Sequence, residues 1–120
     1  LMATRATFFM SLLGPQGFRD LGDACLRRCA YLRRRLSDVT GLKIVFQGPH
    51  FKEFVLRIQG DMSQFLEFMA KRNILAGVPL HRFNMDMDDC LLVTVTETRT
   101  KDELDCYVSS VHEFLNGGAR

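Results

Sequence analysis

The sequence lacks most of the short signatures that announce chemistry. It has four cysteines, Cys25, Cys29, Cys90 and Cys106, but no C-x-x-C and no Cys/His spacing of a zinc site. The three histidines, His50, His81 and His112, stand far apart. None shares a helix face with a Cys, Asp or Glu at ligand spacing, so no metal is expected. There is no G-x-x-x-x-G-K phosphate loop, and local signals assemble no Ser/His/Asp or Cys/His pairing. Only four lysines occur, Lys43, Lys52, Lys71 and Lys101. All sit in polar turns or on solvent faces, away from the apolar surroundings that lower a lysine pKa for Schiff-base work. No segment reaches the ~20 apolar residues of a membrane span, and no signal-peptide pattern is visible. Sixteen basic and 14 acidic residues leave a net charge of +2, which argues against a general polyanion or nucleic-acid binder.

What is present is one domain's worth of sequence: 120 residues, 47% of them hydrophobic. A chain of that size buries roughly two-thirds of its unfolded surface. The opening "LMATRATFFMSLL" reads as helix, with Met2, Ala6, Phe9, Met10 and Leu13 on one side. Gly14-Pro15 breaks it. A second helix is predicted over 16–39, with the apolar line Leu21, Cys25, Cys29, Leu32, Leu36. The four thiols read as reduced, small core residues suited to a reducing compartment.

Strands are predicted at 42–46 and 54–58, antiparallel across the turn "QGPHFKE". Asp61 and Gln64 have capping-box spacing ahead of a short helix that ends near Asn73. In "ILAGVPLHRF", Gly77 and Pro79 forbid helix and leave a short edge strand or extended loop. "MDMDD" is a polar turn. "CLLVTVT", residues 90–96, is apolar on both faces and so predicts a central strand. Thr100 and Glu103 form a second capping box. Leu104, Tyr107, Val108, Val111 and Leu115 give the buried face of a final helix, which Gly117-Gly118 ends. The order predicts an α+β sandwich with helices on one face of a small, mostly antiparallel sheet.

Two stretches are charged enough to ask about function. "LRRCAYLRRRL" spreads Arg27, Arg28, Arg33, Arg34 and Arg35 round a helix. It is a solvated face, or one that docks on an acidic partner, since it lacks the interleaved aromatics of a nucleic-acid surface. "TVTETRT" sets Thr96, Glu97, Thr98 and Arg99 where a strand ends and a helix begins, a place where ligands gather in layered folds. Arg99 could hold a carboxylate and the threonines could donate hydroxyls. The plainer alternative is a Glu97–Arg99 surface pair with threonines capping the turn.

The stretches "GPHFKEFVLRI", "GVPLHRF" and above all "DDCLLVTVTETRTKDELD" resemble the C-terminal domain of glycine dehydrogenase (decarboxylating), the P-protein of the glycine cleavage system. The form most resembled is subunit 1 of the two-subunit bacterial enzyme. The resemblance covers nearly the whole chain. It implies the C-terminal small domain of a fold-type-I pyridoxal phosphate enzyme, which decarboxylates glycine and passes the aminomethyl group to the lipoyl arm of the H-protein. It also implies a cytoplasmic, heterotetrameric bacterial assembly in which the cofactor lysine belongs to subunit 2. Residues 1–120 are then expected to be one domain of a longer chain. Residues 1–13 would be the helical connection to a large domain, exposing Phe8, Phe9, Met10 and Leu13 and self-associating weakly there. No catalytic residue and no bound cofactor are expected on this domain alone. The cleft or domain-contact candidates are Thr96, Glu97, Thr98 and Arg99, with Phe51, Lys52, Glu53 and Phe54 second. The alternative is a freestanding α+β binding or regulatory module.

Overall fold

The computed structural model describes residues 1–83 and 86–117. Helix α1 spans Met2–Ser37 and is followed by strands β1 (Leu42–Ile44) and β2 (Glu53–Ile58). Helix α2 (Met62–Ala70), strand β3 (Val78–Pro79), a 3₁₀ turn (Leu80–Phe83), strand β4 (Cys90–Thr94) and helix α3 (Lys101–Gly117) complete the chain. The strands form one sheet in the order β1-β2-β4-β3, every neighbour antiparallel.

The predicted break in the first helix is a single-residue kink. Gly14 leaves helical geometry at φ 64° and ψ 179°, a conformation glycine adopts at no steric cost. Pro15 then opens the second segment, where its missing N–H is harmless. On that segment Cys25, Cys29, Leu32 and Leu36 are buried as the periodicity requires, while Leu21 is only half-buried. The first segment lies wholly at the surface, with Phe8, Phe9 and Met10 exposed and Leu13 half-buried. Among the described residues its one aromatic contact, Phe9 edge-on to Phe18, is within α1 itself.

Strand β1 is shorter than predicted and stops at Ile44, although the Val45 N–H still bonds the Val55 carbonyl at 3.0 Å. The Asp61 cap is half a capping box. Its carboxylate accepts the Gln64 N–H at 2.8 Å, with no return bond from the Gln64 side chain among the described residues. At the other end of α2, Asn73 takes φ 60°. The N–H groups of Asn73 and Ile74 turn back to the carbonyls of Ala70 and Met69, the left-handed closure that satisfies the last helical carbonyls.

All three helices lie on one side of the sheet. Leu56, Ile58, Leu91, Val93 and Val95 meet Cys29, Leu32, Leu36, Phe65, Val111 and Phe114 in one core. Phe65 and Phe114 cross edge to face at 5.2 Å, a preferred aromatic geometry. The expectation that β4 is central holds, since it lies between β2 and β3. The strand is internal, but only its helix-side residues Leu91, Val93 and Val95 are fully packed in that core. On the opposite face Cys90 is buried, Leu92 half-buried and Thr94 exposed, since no helix among the described residues covers that side.

The predicted edge strand exists as β3, and Gly77 is what lets it dock. Its φ is +150°, and a Cβ there would strike the Leu92 carbonyl and approach Leu91 Cγ to 2.9 Å. Gly77→Ala is therefore expected to push β3 from β4 and cost about 2–3 kcal/mol. A thermal melt should show a midpoint roughly 10 °C lower; an unchanged midpoint would show that β3 is dispensable.

Candidate functional site at the β4–α3 junction

The sheet ends where the sequence placed its candidates. Val95, the last buried residue of the β4 run, donates its N–H to the Lys52 carbonyl at 2.7 Å. Glu53 stands opposite Thr94 in the register and accepts its hydroxyl at 3.4 Å. Antiparallel pairing thus brings "FKE" and "TVTETRT" to the same edge, although more than 40 residues separate them. Phe51, Lys52 and Glu53 are exposed there. Phe54 is not: it is 5% exposed, turned into the helix-side core with the Arg33 guanidinium 5.8 Å over its ring. Strand alternation explains the difference, since Glu53 and Phe54 must point to opposite faces.

Beyond Val95 the chain turns, with the Arg99 N–H bonding the Thr96 carbonyl. The Thr96 and Thr98 hydroxyls bond one another at 2.9 Å. Arg99 donates to the Thr98 hydroxyl through Nε and Nη2 at 3.3 Å and reaches Glu103 Oε1 through Nη1, also at 3.3 Å. The Glu97–Arg99 surface pair therefore does not form. Glu97 turns the other way, half-buried, and accepts the Cys25 thiol at 3.5 Å. Arg28 of α1 donates to the Arg99 carbonyl at 2.6 Å, so both flanks of the turn are held by the long helix.

The Thr100–Glu103 capping box is complete. Glu103 Oε2 accepts the Thr100 N–H at 2.7 Å, and Thr100 Oγ1 accepts the Glu103 N–H at 3.2 Å. The Thr100 N–H, followed by the nearby Arg99 charge, holds the Glu103 carboxyl below the usual carboxylate range. One turn on, Asp105 accepts Lys101 Nζ at 2.5 Å, Arg35 Nη1 at 2.7 Å and the Tyr31 hydroxyl at 2.6 Å. Those bonds, Lys101 foremost, depress its carboxyl as well. This cluster, which clamps α1 to α3, is not evident from the sequence. Its local traces are the i,i+4 pairs Lys101–Asp105 and Tyr31–Arg35.

Beside the junction lies a cavity of about 370 Å³, lined by Ile74, Ala76, Val95, Arg99, Glu103 and Cys106 among others. The reading of all four thiols as core residues is corrected here. Cys25, Cys29 and Cys90 are buried and Cys106 is exposed, because position 106 lies off the stripe that α3 turns to the sheet. Tyr107, which is on that stripe, donates its hydroxyl to the Ala76 carbonyl at 2.9 Å, and burial pushes its phenol pKa up. Lys43, Lys52, Lys71 and Lys101 are all exposed. Among the described residues no three His, Cys, Asp or Glu side chains converge as for a metal ion, and no helix is long and apolar enough to cross a membrane.

A family model described as glycine cleavage system P-protein matches residues 1–111. The chain belongs to that family. It is 34% identical over 116 residues to a protein of Dictyoglomus turgidum named probable glycine dehydrogenase (decarboxylating) subunit 1, covering 96% of this chain and 26% of that one. A protein of the same name from Methylococcus capsulatus is 36% identical over 115 residues, covering 96% and 25%. The chain thus spans about a quarter of the length of these relatives. The fold matches a crystal structure of glycine decarboxylase (P-protein) of the glycine cleavage system in inhibitor-bound form. The TM-score there is 0.79 at 23% identity, over 88% of this chain and 24% of that one. A NifS-like protein from Rickettsia africae has the same fold at TM-score 0.69 and 12% identity, over 81% and 29%. The α+β architecture expected from the P-protein resemblance is thus the one observed.

The cap makes a direct prediction. Thr100→Ala should cost on the order of 1 kcal/mol, seen as a lower melting midpoint. Both Glu103 and Asp105 carry depressed pKa values when folded, so their contribution is present above the ordinary carboxylate range. It is lost as pH falls through the folded values. Stability should hold from neutrality to about pH 5 and drop below about pH 4. Carboxyl NMR should place the Glu103 midpoint below its ordinary value; an ordinary midpoint would mean that the box is open in solution.

Proposed function

We propose that these 120 residues serve as the C-terminal small domain of subunit 1 of a glycine-decarboxylating P-protein, and that they are not catalytic alone. The observation that carries the reading is the P-protein match over residues 1–111, joined to relatives named subunit 1 of which the chain spans a quarter. In this reading the parent enzyme uses pyridoxal phosphate to decarboxylate glycine. The aminomethyl group passes to the lipoyl arm of the H-protein in the bacterial cytoplasm. The partners are the subunit's own large domain, subunit 2 and the lipoylated H-protein.

The residues present do not fit attachment of the cofactor. An amine that condenses with an aldehyde must be unprotonated and sheltered, whereas all four lysines face water. Lys101 bonds the Asp105 carboxylate, which raises its pKa and keeps it charged. Lys71 is paired with Glu67 at 2.8 Å. The resemblance to the two-subunit enzyme, not the lysines here, is what assigns the cofactor lysine to subunit 2 in this reading, and no catalytic step is routed through this chain. Its contribution is to supply surfaces. The edge formed by Thr96, Glu97, Thr98 and Arg99 with Phe51, Lys52 and Glu53 is assigned to the cleft or a domain contact, while Phe54 supports it from the core. Residues 1–13 are assigned to the large-domain connection, which accounts for three large apolar side chains, Phe8, Phe9 and Met10, left in water.

The test is a comparison of this chain with the full-length subunits 1 and 2 mixed. Pyridoxal phosphate should give a saturable, reducible lysine adduct only in the mixture, mapped to subunit 2. A specific adduct on this chain would overturn the reading. Arg99→Ala in the mixed enzyme should lower glycine turnover at least several-fold with little change in melting midpoint. A lowered midpoint with unchanged turnover would return the junction to a purely structural role.

A further inference from the structure

The turn 96–99 lies past the last bond that ties β4 to its neighbour, from the Val95 N–H to the Lys52 carbonyl. Among the described residues its own backbone closes with one long bond, the Arg99 N–H to the Thr96 carbonyl at 3.3 Å. A turn held so lightly from within takes its direction from what grips it outside. Two side chains of α1 do so. Cys25 donates its thiol to Glu97 Oε2 at 3.5 Å, and Arg28 donates Nε to the Arg99 carbonyl at 2.6 Å. Residues three apart on a helix are surface neighbours, so the two tethers run side by side. One bond would let the turn rotate about it, whereas two fix its direction. The tethers are unequal: a thiol is a weak donor, while a guanidinium brings a charge-assisted bond.

The two arginines occupy separate recesses. Arg28 lines a groove between α1 and α3 with Ala24, Tyr31 and Lys101. Arg99 lines the cavity that holds Ile74, Ala76 and Cys106. Leu104, in the first turn of α3, borders both. The contact between the arginines therefore runs through the Arg99 carbonyl and not through their charged heads. Arg28 grips main chain, so its bond survives any change of side chain at position 99. The Arg99 side chain is 52% exposed, whereas Arg28 is half-buried: one presents a charge and the other supports it from behind.

We infer that Arg28 is a positioning residue for Arg99. It fixes the main chain from which the Arg99 side chain projects, with Cys25 steadying the Glu97 end of the same turn. The inference rests on the reading of Thr96–Arg99 as a cleft or domain-contact edge, and it names what sets that edge's geometry. Arg28 itself meets neither substrate nor cofactor in this account. Its influence passes through one carbonyl, so its loss costs only what the misplacement of Arg99 costs.

The test compares Arg28→Met, Arg28→Lys and Arg99→Ala in full-length subunit 1 mixed with subunit 2. Methionine keeps an apolar stem and removes the donor, while lysine keeps a charged donor. Arg28→Met should lower glycine turnover in the same parameter, kcat or KM, as Arg99→Ala, with little change in melting midpoint. Arg28→Lys should recover most of that loss. Arg28→Met added to Arg99→Ala should cost nothing further, because a side chain that is absent cannot be misplaced. Losses that add in full would overturn the inference, as would a lysine variant no better than methionine. If Arg99→Ala lowers turnover and Arg28→Met does not, the inference fails while the reading of the edge stands. If Arg99→Ala is silent, the edge reading fails and the inference falls with it. Nitrogen-15 relaxation of the 120-residue chain reads placement without activity. In Arg28→Met the amide order parameters of residues 97–99 should fall toward the flexible range, below about 0.6, while Val93 stays rigid. An unchanged turn would show that it is held without Arg28 and would overturn the inference.

Discussion

The burial of Leu91, Val93 and Val95 under three helices is the constraint on which the rest of the molecule depends. Strand β4 is bonded on both sides, so its backbone is fixed by two ladders and its side chains can serve as the floor of the core. Its alternation decides which face is dry. Its C-terminal end decides where the turn 96–99 begins, and so where α3 starts and which of its residues reach α1. A one-residue slip would put Leu92 and Thr94 under the helices and expose the core residues. Gly77 protects the register from the other side, by letting β3 approach where a side chain would collide with the Leu92 carbonyl.

Much of this was legible because the deciding signals are local. The period of 3.6 residues through Cys25, Cys29, Leu32 and Leu36, the glycine-proline kink and the T-x-x-E box act within one or two turns, and the structure follows them. The errors lie where a partner element decides. Cys106 looks like Cys25 by residue type, but it falls off the stripe that α3 presents. Glu97 was read against its sequence neighbour Arg99, while its actual partner is a thiol 72 positions earlier. The Asp105 cluster draws Tyr31 and Arg35 from about 70 positions away. The candidates "FKE" and "TETRT" were each visible. Only antiparallel pairing made them one edge, and the same alternation removed Phe54 from it.

The junction is also more self-sufficient than its composition suggests. The Thr96 and Thr98 hydroxyls satisfy each other, and Arg99 already bonds Thr98 and Glu103. Any external carboxylate must compete with Glu103, which is bonded to the Thr100 backbone and is therefore poorly free to move aside. Such a competitor would have to gain more from Arg99 than the capping box loses. A large-domain surface that brings several groups at once is better placed to do that than a small molecule acting alone. In the proposed reading, the junction is thus better suited to a contact formed with a large domain than to a preformed pocket for a free anion.

The distribution of exposed apolar side chains points the same way. Phe8, Phe9 and Met10 on the first segment of α1, Phe46 and Phe51 near the sheet edge, and Phe83 after β3 all remain in water. They occupy three separate regions. A domain that met its surroundings through one surface would concentrate them on one. The helix-side core is already complete without them, with Phe65, Leu56 and Val111 fully buried, so they are not an unfinished interior. Each region therefore asks for its own cover. In the proposed reading the helix segment suits attachment to a larger body, and the edge near Phe46 and Phe51 suits a closing contact beside Thr96–Arg99. On that reading, these surfaces are where the domain meets the rest of its subunit.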